Sequence, residues 1–166
     1  MKRIVLISMT LLLAAAGLHA QEILARFSTD RITCKYSYTT TVPIALNFSG
    51  DAVVQGECYH FSGNGLEIYC DGESRWTLDT EAKEIYIENA GDAQNILQEF
   101  LKYSKDIKYS GNALSGTFTD PLDDNLVKFN LNSIEYSEPT EDLSGFRLDV
   151  ESLGEGYVVT DLRYYN

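Results

Sequence analysis

Few residues in this chain have the types and spacing to do chemistry. His60 is the only histidine beyond the first twenty residues. It sits on the polar side of an alternating run, which predicts a solvated strand histidine, and a Ser-His-Asp arrangement would need neighbours to orient it. The loop Asp120-Pro121-Leu122-Asp123-Asp124-Asn125 is rich in oxygens but lacks the spacing and the later Glu of a calcium loop, so it reads as an acidic turn. Asn47-Phe48-Ser49 matches a glycosylation acceptor, a short motif that needs a eukaryotic secretory route. No Gly-rich loop follows a strand to cradle phosphate, and no pair of CxxC motifs occurs. Catalysis, hydrolysis included, is therefore the least favoured reading; no catalytic residue, metal or cofactor is expected.

Three cysteines, Cys34, Cys58 and Cys70, are the remaining reactive groups. Asn64-Gly65 is a strong hairpin signal. A two-residue type I′ turn there sets Phe61 opposite Ile68 and Tyr59 opposite Cys70, so Cys58 points to the other face and no Cys58–Cys70 bridge is expected. A three-residue Gly63-Asn64-Gly65 loop would bring the two cysteines together, but it would split the apolar set Tyr59, Phe61, Leu66, Ile68 and Cys70 between faces.

The chain's opening bears on where that chemistry would operate. Residues 1–20 place Lys2 and Arg3 before an apolar run from Ile4 to Leu13 and then small residues, the layout of a cleaved secretory signal peptide. Cleavage is expected after Ala20, with Ala14-Ala15-Ala16 as a second site. No Cys lies near the cut to carry a lipid anchor, so a soluble, exported domain spanning residues 21–166 is expected. Losing the leader takes the formal charge from −12 to −14. So acidic a protein is poorly suited to nucleic acid or to anionic membrane surfaces.

The elements that must position these residues are mostly strands. A short helix is expected at Gln21 to Phe27. Ile32, Cys34, Tyr36 and Tyr38 alternate with polar residues, giving a strand with one buried face. Further strands are expected near Ile44 to Phe48 and, after a turn at Gly50-Asp51, from Ala52 to Phe61. The Asn64-Gly65 hairpin leads into the next. A three-residue loop Asp71-Gly72-Glu73 would set Trp76 opposite Ile68 and Leu78 opposite Leu66. Trp76, Leu78, Ile85 and Ile87 then share the inner face, while Arg75, Glu84, Tyr86 and Glu88 look outward. A two-residue turn at Asp71-Gly72 would instead set Arg75 opposite Ile68. From Asp92, the expected N-cap, the period becomes helical, with Ala93, Ile96, Leu97, Phe100 and Leu101 in one stripe. Strands resume at Leu114 to Thr119, Val127 to Tyr136, Gly145 to Val150 and Tyr157 to Tyr165. Within the second of these a parity change predicts a bulge at Asn132-Ser133. The fold class is α+β, mostly β: a single curved antiparallel sheet, a half-open β-barrel, with one or two helices over the concave face.

The block from Val54 to Ala90 resembles the central part of the outer-membrane lipoprotein carrier protein family (LolA-like). Gly56 before a strand, the Asn64-Gly65 hairpin, Asp71-Gly72, Trp76 and Glu84-Ile85-Tyr86-Ile87 follow in the family's order. The ending is similar to the family's last strands, with Asp161-Leu162-Arg163 matching their usual close. The resemblance implies a half-barrel with a helical lid that holds the acyl chains of lipoproteins during transit across the periplasm. In the family's well-studied members an Arg in the strand before the Asp-Gly turn holds the lid closed. Here that strand is Leu66 to Cys70, without Arg, so that device does not carry over.

The expectation is therefore a monomeric periplasmic carrier of lipid-modified proteins or other acyl ligands, handing cargo between inner-membrane release and outer-membrane acceptor proteins. Its cavity would be lined by Tyr59, Phe61, Leu66, Ile68, Trp76, Leu78, Ile85, Ile87, Ile96, Leu97, Phe100, Leu101, Phe129, Leu131, Phe146 and Leu148. The alternative is a non-carrier binding module of the same fold with a packed interior and a partner on its outer surface.

Overall fold

The computed structural model describes residues 25–40, 47–91, 103–119 and 126–164. The leader, the expected helix stripe from Ala93 to Leu101, the start of the strand near Ile44 and the acidic loop Asp120 to Asn125 lie outside them.

Ten strands form one curved, unclosed sheet in the order β10-β6-β5-β4-β3-β2-β1-β9-β8-β7. They are β1 (Arg31–Thr40), β2 (Asn47–Gln55), β3 (Cys58–Gly63), β4 (Leu66–Cys70), β5 (Ser74–Asp79), β6 (Glu84–Asn89), β7 (Ser104–Ser110), β8 (Ala113–Thr119), β9 (Leu126–Ser137) and β10 (Val158–Asp161). All pairings are antiparallel except β10 on β6. Among the described residues, helix is limited to a short piece at residues 25–29, to Tyr103 just before β7, and to two 3-10 turns, Ser144–Phe146 and Val150–Ser152.

The Asn64-Gly65 hairpin has the expected register. Tyr59 pairs with Cys70 and Phe61 with Ile68, and both turn residues have positive φ, 52° and 79°. The bulge also falls where parity changes: Thr33 pairs with Glu135 but Lys35 with Asn132, and Ser133 has φ 52°. Val127, Phe129 and Leu131 thereby share a face with Ile134 and Tyr136.

Gly50-Asp51 is not a turn. β2 runs straight through it, and the chain reverses at Gly56-Glu57, where Gly56 has φ 58° and Gln55 pairs with Cys58. Gly50 is needed for a different reason: a Cβ there would lie 1.7 Å from the Ser62 carbonyl oxygen, so β2 and β3 approach too closely for any side chain.

The β4–β5 register differs from the expected one. Cys70 pairs with Arg75, Tyr69 with Trp76 and Ile68 with Thr77. The turn is two residues, Gly72-Glu73, because Asp71 is its first flanking residue rather than part of the loop. The Asp71 carboxylate accepts the backbone amides of Glu73 (3.0 Å) and Ser74 (2.9 Å) and the Arg147 Nε (2.7 Å). Every side chain of β5 and β6 is therefore on the face opposite to the one expected. Trp76, Leu78, Ile85 and Ile87 lie on the reverse face from Ile68, and Arg75, Glu84, Tyr86 and Glu88 share the front face with it.

The segment after β9 explains the reverse-face apolar residues. Gln55 exchanges hydrogen bonds with the backbone of Thr140, at 2.8 and 3.0 Å. The Arg31 guanidinium lies 5.2 Å from the centre of the Phe146 ring. Leu148, Val150, Leu153 and Tyr157 then pack with Trp76 on Leu78, Ile85 and Ile87. The expected strand at Gly145 to Val150 is thus a strap with 3-10 turns, and Asp149 caps the second by accepting from Glu151 and Ser152. Crossing the sheet this way delivers β10 parallel to β6. Its regular pairing covers Val158 to Asp161, shorter than the expected Tyr157 to Tyr165.

Asp71 joins turn and strap, and its carboxyl is titratable. Burial works to raise its pKa, but the Ser74 and Glu73 amides and the Arg147 guanidinium outweigh it and hold the group below 3.8. A folded value below the unfolded one adds stability above the unfolded pKa, and that stability is lost as pH falls through the folded value. Asp71→Ala is expected to cost about 2–3 kcal/mol at neutral pH and Asp71→Asn, which keeps a turn acceptor, about 1 kcal/mol. In urea unfolding the difference between Asp71→Asn and wild type should shrink below about pH 4; a gap unchanged at acid pH would show that the charge contributes nothing.

Candidate functional site

The front face carries one continuous apolar cluster. Its buried members are Phe27, Ile32, Cys34, Ala52, Val54, Tyr59, Cys70, Leu114, Phe129, Leu131 and Ile134. Around them lie partly buried side chains: Tyr36, Tyr38, Phe61, Ile68, Ala90, Ile107, Tyr109, Phe118 and Tyr136. Cross-strand register places them together. Tyr38 pairs with Phe48 and Phe129, Tyr36 with Leu131, and Leu114 also with Leu131.

The partly exposed aromatics form a set of ring contacts. Tyr38 stacks on Phe48 with centroids 5.0 Å apart, and Tyr36 meets Phe61 edge-on at 5.6 Å. Phe61 also touches Tyr59 at 5.5 Å. Phe27, from the short helical piece, is fully buried against Tyr136, whose ring also lies 3.8 Å from the Arg26 guanidinium. Burial pushes the phenols of Tyr36, Tyr38, Tyr109 and Tyr136 above their usual value, so they stay neutral and present only hydroxyls among the apolar groups.

The apolar strip ends at a charged boundary. Arg75 binds Glu88 through Nε (3.1 Å) and Nη2, on the same face as Cys70. Beyond it this face of β5 and β6 carries Thr77, Asp79, Tyr86 and Glu84.

Of the residues expected to line a cavity, Tyr59, Phe61, Ile68, Phe129 and Leu131 come together here, and Leu66 lies on the same face by register. Trp76, Leu78, Ile85, Ile87 and Leu148 form a separate cluster on the reverse face, and buried Phe146 sits in the strap. Ile96, Leu97, Phe100 and Leu101 lie outside the described residues. Tyr36, Tyr38, Phe48, Leu114, Phe118 and Tyr136 belong to the site but were absent from the expected lining. The period-two runs of β1, β8 and β9 carried the signal for most of them.

His60 is on the reverse face, as its parity requires, but it is not simply solvated. Its ring stacks on Tyr69 with centroids 4.1 Å apart, and its Nε2 is buried 3.5 Å from a Glu67 oxygen that accepts the Tyr69 hydroxyl. An open depression of about 420 Å³ on the strap side is lined by Arg31, Thr140, Asp142, Ser144 and Gly145. Among the described residues no group of three or more His, Cys, Asp or Glu is placed to hold a metal, and no helix is long and apolar enough to cross a membrane. What the front face offers is therefore apolar contact area with a few hydroxyls. Compared with protein-family models and with curated proteins, the chain matches none.

Cys34 tests how dry the face is. It is 6% exposed, and burial, with Asp51 adding to it, pushes its thiol up to about 11. At pH 8 the thiolate fraction should be about 100-fold below that of an unperturbed thiol. Cys58 and Cys70 are also buried free thiols. Ellman's reagent should leave all three largely unlabelled until denaturant is added. Rapid native labelling of Cys34 would mean that water reaches the centre of the cluster.

Proposed function

We propose that the front face is an acyl-binding surface and that the protein is a periplasmic carrier of lipid-modified proteins or related acyl ligands. One observation carries this reading: Tyr36, Tyr38, Phe48, Phe61, Ile68 and Phe118 are only partly buried although they adjoin side chains such as Ile32, Val54 and Leu114 at 1% exposure. Aromatic side chains at the margin of a dry cluster can shift to admit an apolar ligand without exposing backbone polar groups. The strong negative charge and the leader-like first twenty residues are consistent with a diffusing, exported protein.

The energetics favour such a loose surface for a shuttle. At about 0.8 kcal/mol per buried CH₂, an acyl chain of about sixteen carbons is worth on the order of 12 kcal/mol gross, all of which must be returned on release. Reordering of the aromatic rings on binding offsets part of that gain, which keeps the complex reversible.

The packed-module alternative draws on a different observation. Tyr59, Phe129 and Leu131 are at most 7% exposed, as in an ordinary core. Titration separates the two readings. A fluorescent sixteen-carbon fatty acid should bind saturably to the wild type, and Phe61→Glu should weaken it by at least about tenfold. Trp76, on the reverse face under the strap, should keep its emission through the titration and report that the variant is folded. Absence of saturable binding to the wild type would support the packed module instead.

A further inference from the structure

The sheet has two edges, β7 and β10, and the chain treats them differently. β7 carries Lys105 and Lys108, and between them a register irregularity with Asp106 at φ 53°. Lysines and bulges are the devices by which an edge strand avoids unwanted pairing. β10 has neither: it is Val158-Val159-Thr160-Asp161, in unbroken register with β6. Val158 and Val159 are 62% and 47% exposed, and Tyr164 just beyond is 83% exposed. Five of the seven exposed large hydrophobics among the described residues, Tyr86, Val158, Val159, Leu162 and Tyr164, gather at this edge.

The backbone is also free to pair there. The amides of Val158 and Leu162 donate inward to the carbonyls of Lys83 and Ile87, at 2.9 and 2.8 Å. Alternation along a strand turns the amides and carbonyls of Val159 and Asp161 outward. The ladder stops at Arg163, whose amide donates to the Asp161 carboxylate.

We propose that β10 is a docking edge at which an extended, positively charged segment of a partner protein adds as an eleventh strand. Charge selects this occupant over a second copy of the chain, which carries a formal −12 itself. Of the cations near this edge, Arg163 holds Asp161 and Arg75 holds Glu88, and Lys83, whose side chain reaches towards Gly156, is outnumbered by Glu84 and Glu155. Glu84 and Glu155 flank the strand, while Val158 and Val159 offer apolar contacts on its two faces.

The test uses two short synthetic peptides alternating Val and Thr with Lys in one and with Glu in the other. Fluorescence anisotropy at low salt should show the Lys peptide binding at least about tenfold tighter than the Glu peptide. Hydrogen exchange should show new protection at the Val159 and Asp161 amides. Val159→Pro removes an outward amide without touching the bonds to β6, and Val159→Lys keeps the strand but adds an edge charge. Both should lower affinity at least about tenfold, with Trp76 emission confirming the fold; if Val159→Pro perturbs that emission, Val159→Lys decides. The proposal is overturned if neither peptide binds, if both bind equally, or if Val159→Lys binds as well as wild type. It is likewise overturned if sedimentation shows a wild-type dimer that Val159→Lys dissociates, which would make the edge a self-pairing one.

Discussion

The Asp71 carboxylate decides which way β5 and β6 face. Its side chain is 4% exposed and accepts two amides of the turn that follows, which fixes that turn at Gly72-Glu73 and pairs Cys70 with Arg75. A register shifted by one residue would exchange the two faces of β5 and β6. With the observed one, apolar side chains occupy the front from β7 to β4 and the reverse on β5 and β6. The same carboxylate binds Arg147, so the residue that sets the parity also fastens the strap that covers the resulting reverse-face cluster.

That arrangement accounts for features that look unrelated in sequence. Trp76 needs cover on the reverse side, and the segment from Thr140 to Tyr157 supplies it. Having crossed the sheet, the chain arrives beside Glu84 at the start of β6 and runs on parallel to it, which is why one strand breaks an otherwise antiparallel meander. Arg75 is aimed at the front by the same parity, where Glu88 is its cross-strand partner and the pair closes the apolar strip.

Local signals were legible where one residue pair dictates geometry. Asn64-Gly65 specified its hairpin, alternation specified the buried faces of β1, β8 and β9, and a parity change specified the bulge at Ser133. Signals that depend on tertiary contact were not. Asp71-Gly72 reads locally as the heart of a turn, and only its amide and Arg147 contacts show that Asp71 flanks one. Gly50 reads as a turn glycine, yet its role is the close approach of Ser62. β7, Ser104–Ser110, has few apolar residues because it is an edge strand, so periodicity missed it. Phe146 and Leu148 were correctly apolar but belong to 3-10 turns and irregular chain, where no period exists to find. For the front face the buried rows could be read and the partly exposed ring contacts could not, since Tyr38 meets Phe48 across a register that sequence does not supply.

The width of the front face follows from that parity and bears on the proposed ligand. The apolar strip runs over seven strands, β7, β8, β9, β1, β2, β3 and β4. At about 4.8 Å between neighbours this is roughly 29 Å measured along the sheet. A single acyl chain spans about half of a hydrocarbon core that is about 30 Å thick. The strip is therefore wide enough for one or two chains laid across the strands, and it stops at Arg75 and Glu88, where polar groups attached to such a chain would meet charge and not apolar surface. Moving the turn by one residue would place Trp76 on the front, send Arg75 to the reverse, and remove that boundary. The specificity of the proposed site would thus lie less in any lining residue than in where the apolar strip ends.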